Sequence, residues 1–228
     1  MVSRRLRGTA LAAVCVVALA GCGSAHPGQA AQVGETSISD ETLQRSTHGF
    51  CDLIDVINAA QQGTGAPVPV RTAVLSAMNT LVMGVAFDRL AERYDVELTN
   101  AEVREWKNQL PVDLSQVPES RADELALTLD RVARNALLAE KIGVAAQQRQ
   151  NPGEPSPSPD QASALGERLA SQYLKRVGAE TNPRYGQVLD VQRLPGTGSF
   201  SLPVSAEGVQ SRTVPEPTDR LTETQTCF

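Results

Sequence analysis

The hydrophobic and polar positions fall at helical spacing over most of the chain, and extended patterns occur only toward its two ends. "AQVGETSI", residues 31–38, reads as strand, Gly-Glu turn, strand, with Val33 and Ile38 facing inward. Ser39 offers an N-cap, and Asp40 and Glu41 place negative charge in the first turn, where the helix dipole favours it. Leu43, Phe50, Ile54 and Ile57 then predict a first helix over residues 40–61, ended by "GTGAPVP". Val74, Leu75, Met78, Leu81, Val82, Val85, Phe87 and Leu90 predict a second over 70–94. They cover nearly its whole circumference, so it is expected at the centre.

Thr99 and Glu102 make a capping box for a short third helix to Leu110. Ser120 is read as the cap of a long fourth helix, Arg121 to Gln148, with Leu125, Leu129, Val132, Ala136 and Ala139 along one face. Ser158-Pro159-Asp160-Gln161 opens a fifth, with Pro at the first helical position and Gln completing a capping box. Leu165, Leu169, Tyr173 and Val177 are its expected buried stripe, and Gly178 ends it.

A late stretch, "TNPRYGQVLDV" (181–191), reads as a tight turn and a short strand. A lone strand cannot leave its backbone groups unpaired, so its expected partner is the strand pair near Val33 and Ile38. The expected fold class is therefore mainly α: about five helices, with a small β-sheet formed by the N-terminal and late C-terminal segments. Asn182, Pro183, Arg184, Tyr185 and Gly186 form the structural turn. Pro183 fixes φ, Gly186 permits the reversal, and Arg184 and Tyr185 pin the loop to helix ends. The domain is expected over 31–193, with a proline-rich spacer at 151–159 and an irregular Gly/Pro/Ser/Thr tail at 194–228.

The first 21 residues change the picture. Arg4, Arg5 and Arg7 precede the apolar run "TALAAVCVVALA", which has the shape of a secretory signal and is set aside from fold reasoning. It ends in "LAGC", which resembles a bacterial lipoprotein box and implies lipidation at Cys22, followed by a flexible tether over 22–30. The expected location is the extracytoplasmic face of the cell membrane, anchored through the Cys22 lipid. No later apolar run is expected to span the bilayer. The net charge of −5 becomes three units more negative without those arginines, which argues against nucleic-acid partners.

Of the four cysteines, Cys51 and Cys227 remain as an even pair in an oxidising compartment. They are read as a disulfide, the alternative being one buried thiol and one on the tail. Closing so long a loop is worth ~4–5 kcal/mol on chain-entropy grounds.

Candidate chemistry is sparse. His26 lies in the tether, and His48 stands alone on the first helix, where a solvent-facing or hydrogen-bonded role is expected. No metal-ligand spacing, nucleophile motif or phosphate-cradling loop is present, so no catalytic residue, metal or cofactor is named. Asp123 and Glu124 are read as helix-start acids, and Asp52 and Asp55 as a solvated face.

"AQVGETSISDETL", "AVLSAMNTLVMGVAFDRLAERYDVELTNAEVREW" and "NPRYGQVLDV" together resemble, in order, the opening, apolar helix and closing turn of the SurA/PrsA-type foldase N-terminal domain. The likeness runs from residue 31 to about 191, apart from the proline-rich insert. The parvulin isomerase domain of that family's catalytic members has no counterpart in length or residues. The resemblance therefore implies a chaperone-like module without isomerase activity, not an enzyme. Its partners would be unfolded or newly exported polypeptides, and Met78, Met83, Phe87, Trp106 and Leu110 are the peptide-binding candidates. The alternative is a dedicated lipoprotein holding one membrane or envelope partner. Richness in Ala and Arg fits a high-GC, actinobacterial genome.

Overall fold

Two extended segments and a Gly-containing turn open the domain, as β1 (Gln29–Val33) and β2 (Thr36–Ser39). A computed structural model of the protein describes residues 27–60, 68–110, 117–185 and 226–227. Five helices follow: α1 (Asp40–Ala60), α2 (Val70–Tyr94), α3 (Asn100–Asn108), α4 (Glu119–Gln150) and α5 (Pro159–Val177). Short strands β3 (Val68–Pro69), β4 (Glu180–Thr181) and β5 (Thr226–Cys227) complete the described residues. The fold is mainly helical with small antiparallel sheets, as the periodicity predicts.

β1 lies in the middle of a three-stranded sheet, ordered β2-β1-β4. Ala31 faces Ile38 on one side and Thr181 on the other. The late chain thus does return to the N-terminal hairpin, but the residues that pair are Glu180 and Thr181, ahead of the turn. The strand expected at 187–191, and Gly186, lie outside the described residues, as do Cys22 and the signal. The Asn182 N–H donates to Ala30 O at 2.8 Å and its amide Nδ2 donates to Gln29 O at 3.0 Å. The following 3₁₀ turn, Pro183–Tyr185, sets Tyr185 Oη to donate to Asp40 Oδ1 at 3.0 Å, and Arg184 pairs with the same carboxylate. The Arg184 hydrogen bond holds the Asp40 carboxyl below its ordinary value. Because β1 begins at Gln29, the tether yields to the domain before residue 31.

Local signals place several ends well. Ser39 Oγ accepts from Thr42 N at 3.1 Å, and full capping boxes occur at Thr99/Glu102 and Ser158/Gln161. Gly178 ends α5 in the left-handed conformation, φ 67°. α4 begins earlier than expected, at Glu119, with Pro118 as N-cap and no side-chain cap, so Ser120 is not the capping residue.

α2 is the central helix, burying Ala73, Ala77, Met78, Val82, Ala86, Phe87 and Leu90. Its most apolar window averages 1.4 in mean hydropathy, so by length and composition it does have the character of a span, contrary to expectation. It packs instead against α1, α4, α5 and β1, and a core helix passes the same test. The buried stripe of α5 is also not the expected one. Ala162, Gly166, Ala170 and Leu174 are buried, whereas Leu165, Leu169, Tyr173 and Val177 are half-buried on the flanks. On α4, Ala133, Leu138, Ile142, Gly143 and Ala146 join Leu125, Leu129 and Ala139, while Val132 and Ala136 are half-buried.

The reason is the closeness of the α4–α5 pair. A Cβ added at Gly166 would lie 1.9 Å from Ala139 O, and one at Gly143 would lie 1.9 Å from Ala162 O. Only hydrogen fits between the two backbones at these points, so the smallest side chains occupy the seam and larger ones are displaced to either side.

Two outcomes follow. Gly166→Val is expected to lower stability by about 3 kcal/mol, or ~10 °C in Tm, because the clash is with backbone. Asn182→Ala removes the side-chain bond across the β1 edge and should cost ~1 kcal/mol in urea unfolding.

Candidate functional site

Along α1, Leu43, Gln44, Thr47, His48, Cys51 and Asp52 follow one another at helical spacing on a single face. This face forms one wall of a cleft of about 630 Å³. Val70 and Val74 at the start of α2, Arg121 and Glu124 near the start of α4, Tyr185, and Thr226 and Cys227 in β5 complete the lining.

Three contacts fix its walls. The first is the crossing of α1 over α4, where a Cβ at Gly49 would meet Thr128 Oγ1 at 2.2 Å and Glu124 O at 2.5 Å. The second is the disulfide between Cys51 and Cys227, whose Cα atoms are 5.0 Å apart across a sequence separation of 176. The third is the pairing of β5 with β3, Cys227 opposite Val68 and Thr226 opposite Pro69. Together they bring β5 against the first helix and bury Cys227 with Cys51 and Ala73.

Asp52 and Asp55 are not a solvated face. Asp52 is only 3% exposed, and its Oδ1 accepts from Arg121 Nη1 at 2.7 Å. The same guanidinium reaches Asp55 Oδ2 at 3.5 Å. Asp52 Oδ2 is buried with no hydrogen-bond partner. Burial pushes the Asp52 carboxyl above its ordinary value, against the attraction of Arg121, and Glu124 pushes in the same direction. Burial also raises Asp55. His48 stands exposed at the rim, its Nδ1 3.5 Å from Glu124 Oε2. Glu124 lies in the second turn of α4, beyond the first-turn position expected for it, and faces the cleft.

The expected peptide-binding residues do not converge here. Met78 and Phe87 are core residues, 0% and 3% exposed, because the crowded centre of the bundle needs bulky apolar groups from α2. Met83 packs on the flank of that core, and Leu110 against Val56, Leu125 and Leu129. Trp106 is half-buried on α3. None of the five lines the cleft. Sequence reasoning missed Asp52, Arg121 and Glu124 because their meeting depends on an α1–α4 crossing between residues far apart in the chain. The one available signal was an acid at helical spacing among the residues of a buried face.

Among the described residues, no group of three His, Cys, Asp or Glu side chains is placed to hold a metal ion. A buried carboxylate facing one shared guanidinium can hold a donor group.

Arg121→Met leaves both carboxylates unneutralised. It should lower stability near neutrality by about 2 kcal/mol, less than for a wholly buried pair because Arg121 is 37% exposed. Without the cation the folded-state value for Asp52 rises further. The folded variant then takes up a proton before the unfolded chain does, so its deficit should shrink as the pH falls into the carboxylate range. Urea unfolding at several pH values measures this; a deficit that grows in acid would contradict it.

No family model matches the chain, and no curated protein or solved structure matches it.

Proposed function

We propose that the protein is a lipid-anchored, extracytoplasmic, chaperone-like binder of unfolded or newly exported polypeptides on a SurA-type scaffold, without isomerase activity. The observation that supports this is the cleft beside α1. Its volume, about 630 Å³, suits one or two side chains of a client, and Leu43, Val70, Val74 and the disulfide supply apolar wall. Burying client apolar surface there yields ~25 cal/mol per Å², enough for transient holding when several segments bind in turn. The "LAGC" sequence at residues 19–22 supplies the anchor through Cys22, and an acidic body resists collapse onto anionic lipid. This reading moves the binding surface away from Met78 and Phe87 to the face of α1.

The test is suppression of aggregation of an unfolded secreted protein by the full chain. Suppression at equimolar to fewfold excess is expected. No suppression and no client binding at a molar excess would end this reading.

One observation favours a second reading, in which the protein holds one dedicated envelope partner. The polar groups of the cleft are fixed by the Asp52–Arg121 pair and not adaptable. Crosslinking from membranes separates the two: a ladder of exported proteins supports the first, one stoichiometric partner the second.

A further inference from the structure

We infer that the cleft beside α1 receives a basic side chain of a bound polypeptide, with its ammonium or guanidinium group against Asp52 and with Glu124 and His48 at the rim. This rests on the polypeptide-binding reading above and specifies the residue class recognised.

Charge supplies the first argument. Asp52 and Glu124 line the cleft with Arg121, and that guanidinium is divided between Asp52 and Asp55. Among the described residues that line the cleft, two carboxylates thus stand beside one guanidinium, and a cation from outside corrects the balance. Asp52 Oδ2 supplies the second: it is buried, without a donor, in a side chain that lines the cleft. Buried acceptors are nearly always satisfied, so a missing donor marks a place where one is wanted. The shape of the lining supplies the third. Leu43, Val70 and Val74 are apolar, while the acids lie on α1 and α4. A lysine or arginine has the same division, an apolar stem carrying a charged head. A purely apolar side chain would leave the acceptor unmet, and an acidic one would add repulsion.

The experiment uses three labelled, unstructured peptides that differ only at a central lysine, norleucine or glutamate, titrated against the full chain. The lysine peptide should bind about tenfold tighter than the norleucine peptide, with glutamate weakest. Asp52→Asn and Glu124→Gln should each remove most of that preference, bringing the lysine and norleucine peptides to similar affinity. If Asp52→Asn does not fold, Glu124→Gln carries the test alone, since Glu124 lies at the rim.

A measurement on the unaltered protein stands beside the variants. A cation brought against Asp52 lowers its raised value, so binding the lysine peptide in mildly acidic solution should release protons. Calorimetry in two buffers of different ionisation enthalpy reads this, and the norleucine peptide should release none. Equal binding of lysine and norleucine peptides, or no proton release, overturns the inference and leaves polypeptide binding intact. Failure of all three peptides to bind, with no suppression of aggregation, overturns both.

Discussion

How closely other helices can approach α4 governs this structure. α1 and α5 both cross it at points where one partner lacks a Cβ: Gly49 against Glu124 and Thr128, and Gly143 and Gly166 against the facing backbones of Ala162 and Ala139. Close packing gains dispersion contacts along the whole seam, because interiors tolerate few gaps. It also fixes positions. With α1 held this near α4, Asp52 is almost wholly buried at the wall of the cleft, where it meets Arg121.

The cost of that confinement is visible in the carboxylate itself. Burial, helped by nearby Glu124, raises the carboxyl against the pull of Arg121, so the ionised carboxylate costs stability. The surface ion pairs do the reverse at small scale. Glu102, half-buried at the surface, is held down to about 2, chiefly by its hydrogen bond from Lys141 and also by the Thr99 cap. Tension of the first kind lies at the cleft and is absent from an outer pair such as Glu102–Lys141.

Much of the fold was legible from local rules. The second helix has its expected bounds, Val70–Tyr94, because a long apolar run between a Pro-rich break and a turn leaves little choice. The capping boxes at Thr99 and Ser158 fix two further starts, since each satisfies its own backbone donors without outside help. The failures share one cause, which is dependence on a distant neighbour. On α5 the largest residues, Leu165, Leu169 and Tyr173, looked like the buried stripe, yet at a close crossing burial goes to the smallest. Asp52 looked like an outer residue until α4 was laid across it. The expected strand after the turn at 182–186 lies outside the described residues; the ladder to the domain's beginning precedes the proline, where two described residues, Glu180 and Thr181, carry it.

The bond from Cys51 to Cys227 also imposes a schedule. One wall of the cleft belongs to α1, and the part beside Cys51 comes from β5, with Cys227 176 residues further along the polypeptide. During synthesis, all five helices emerge before that last wall exists. Oxidation of the pair takes seconds to hours depending on the catalyst, far longer than helix formation. The helical body is thus assembled early, and the cleft gains its last wall only when the pair oxidises.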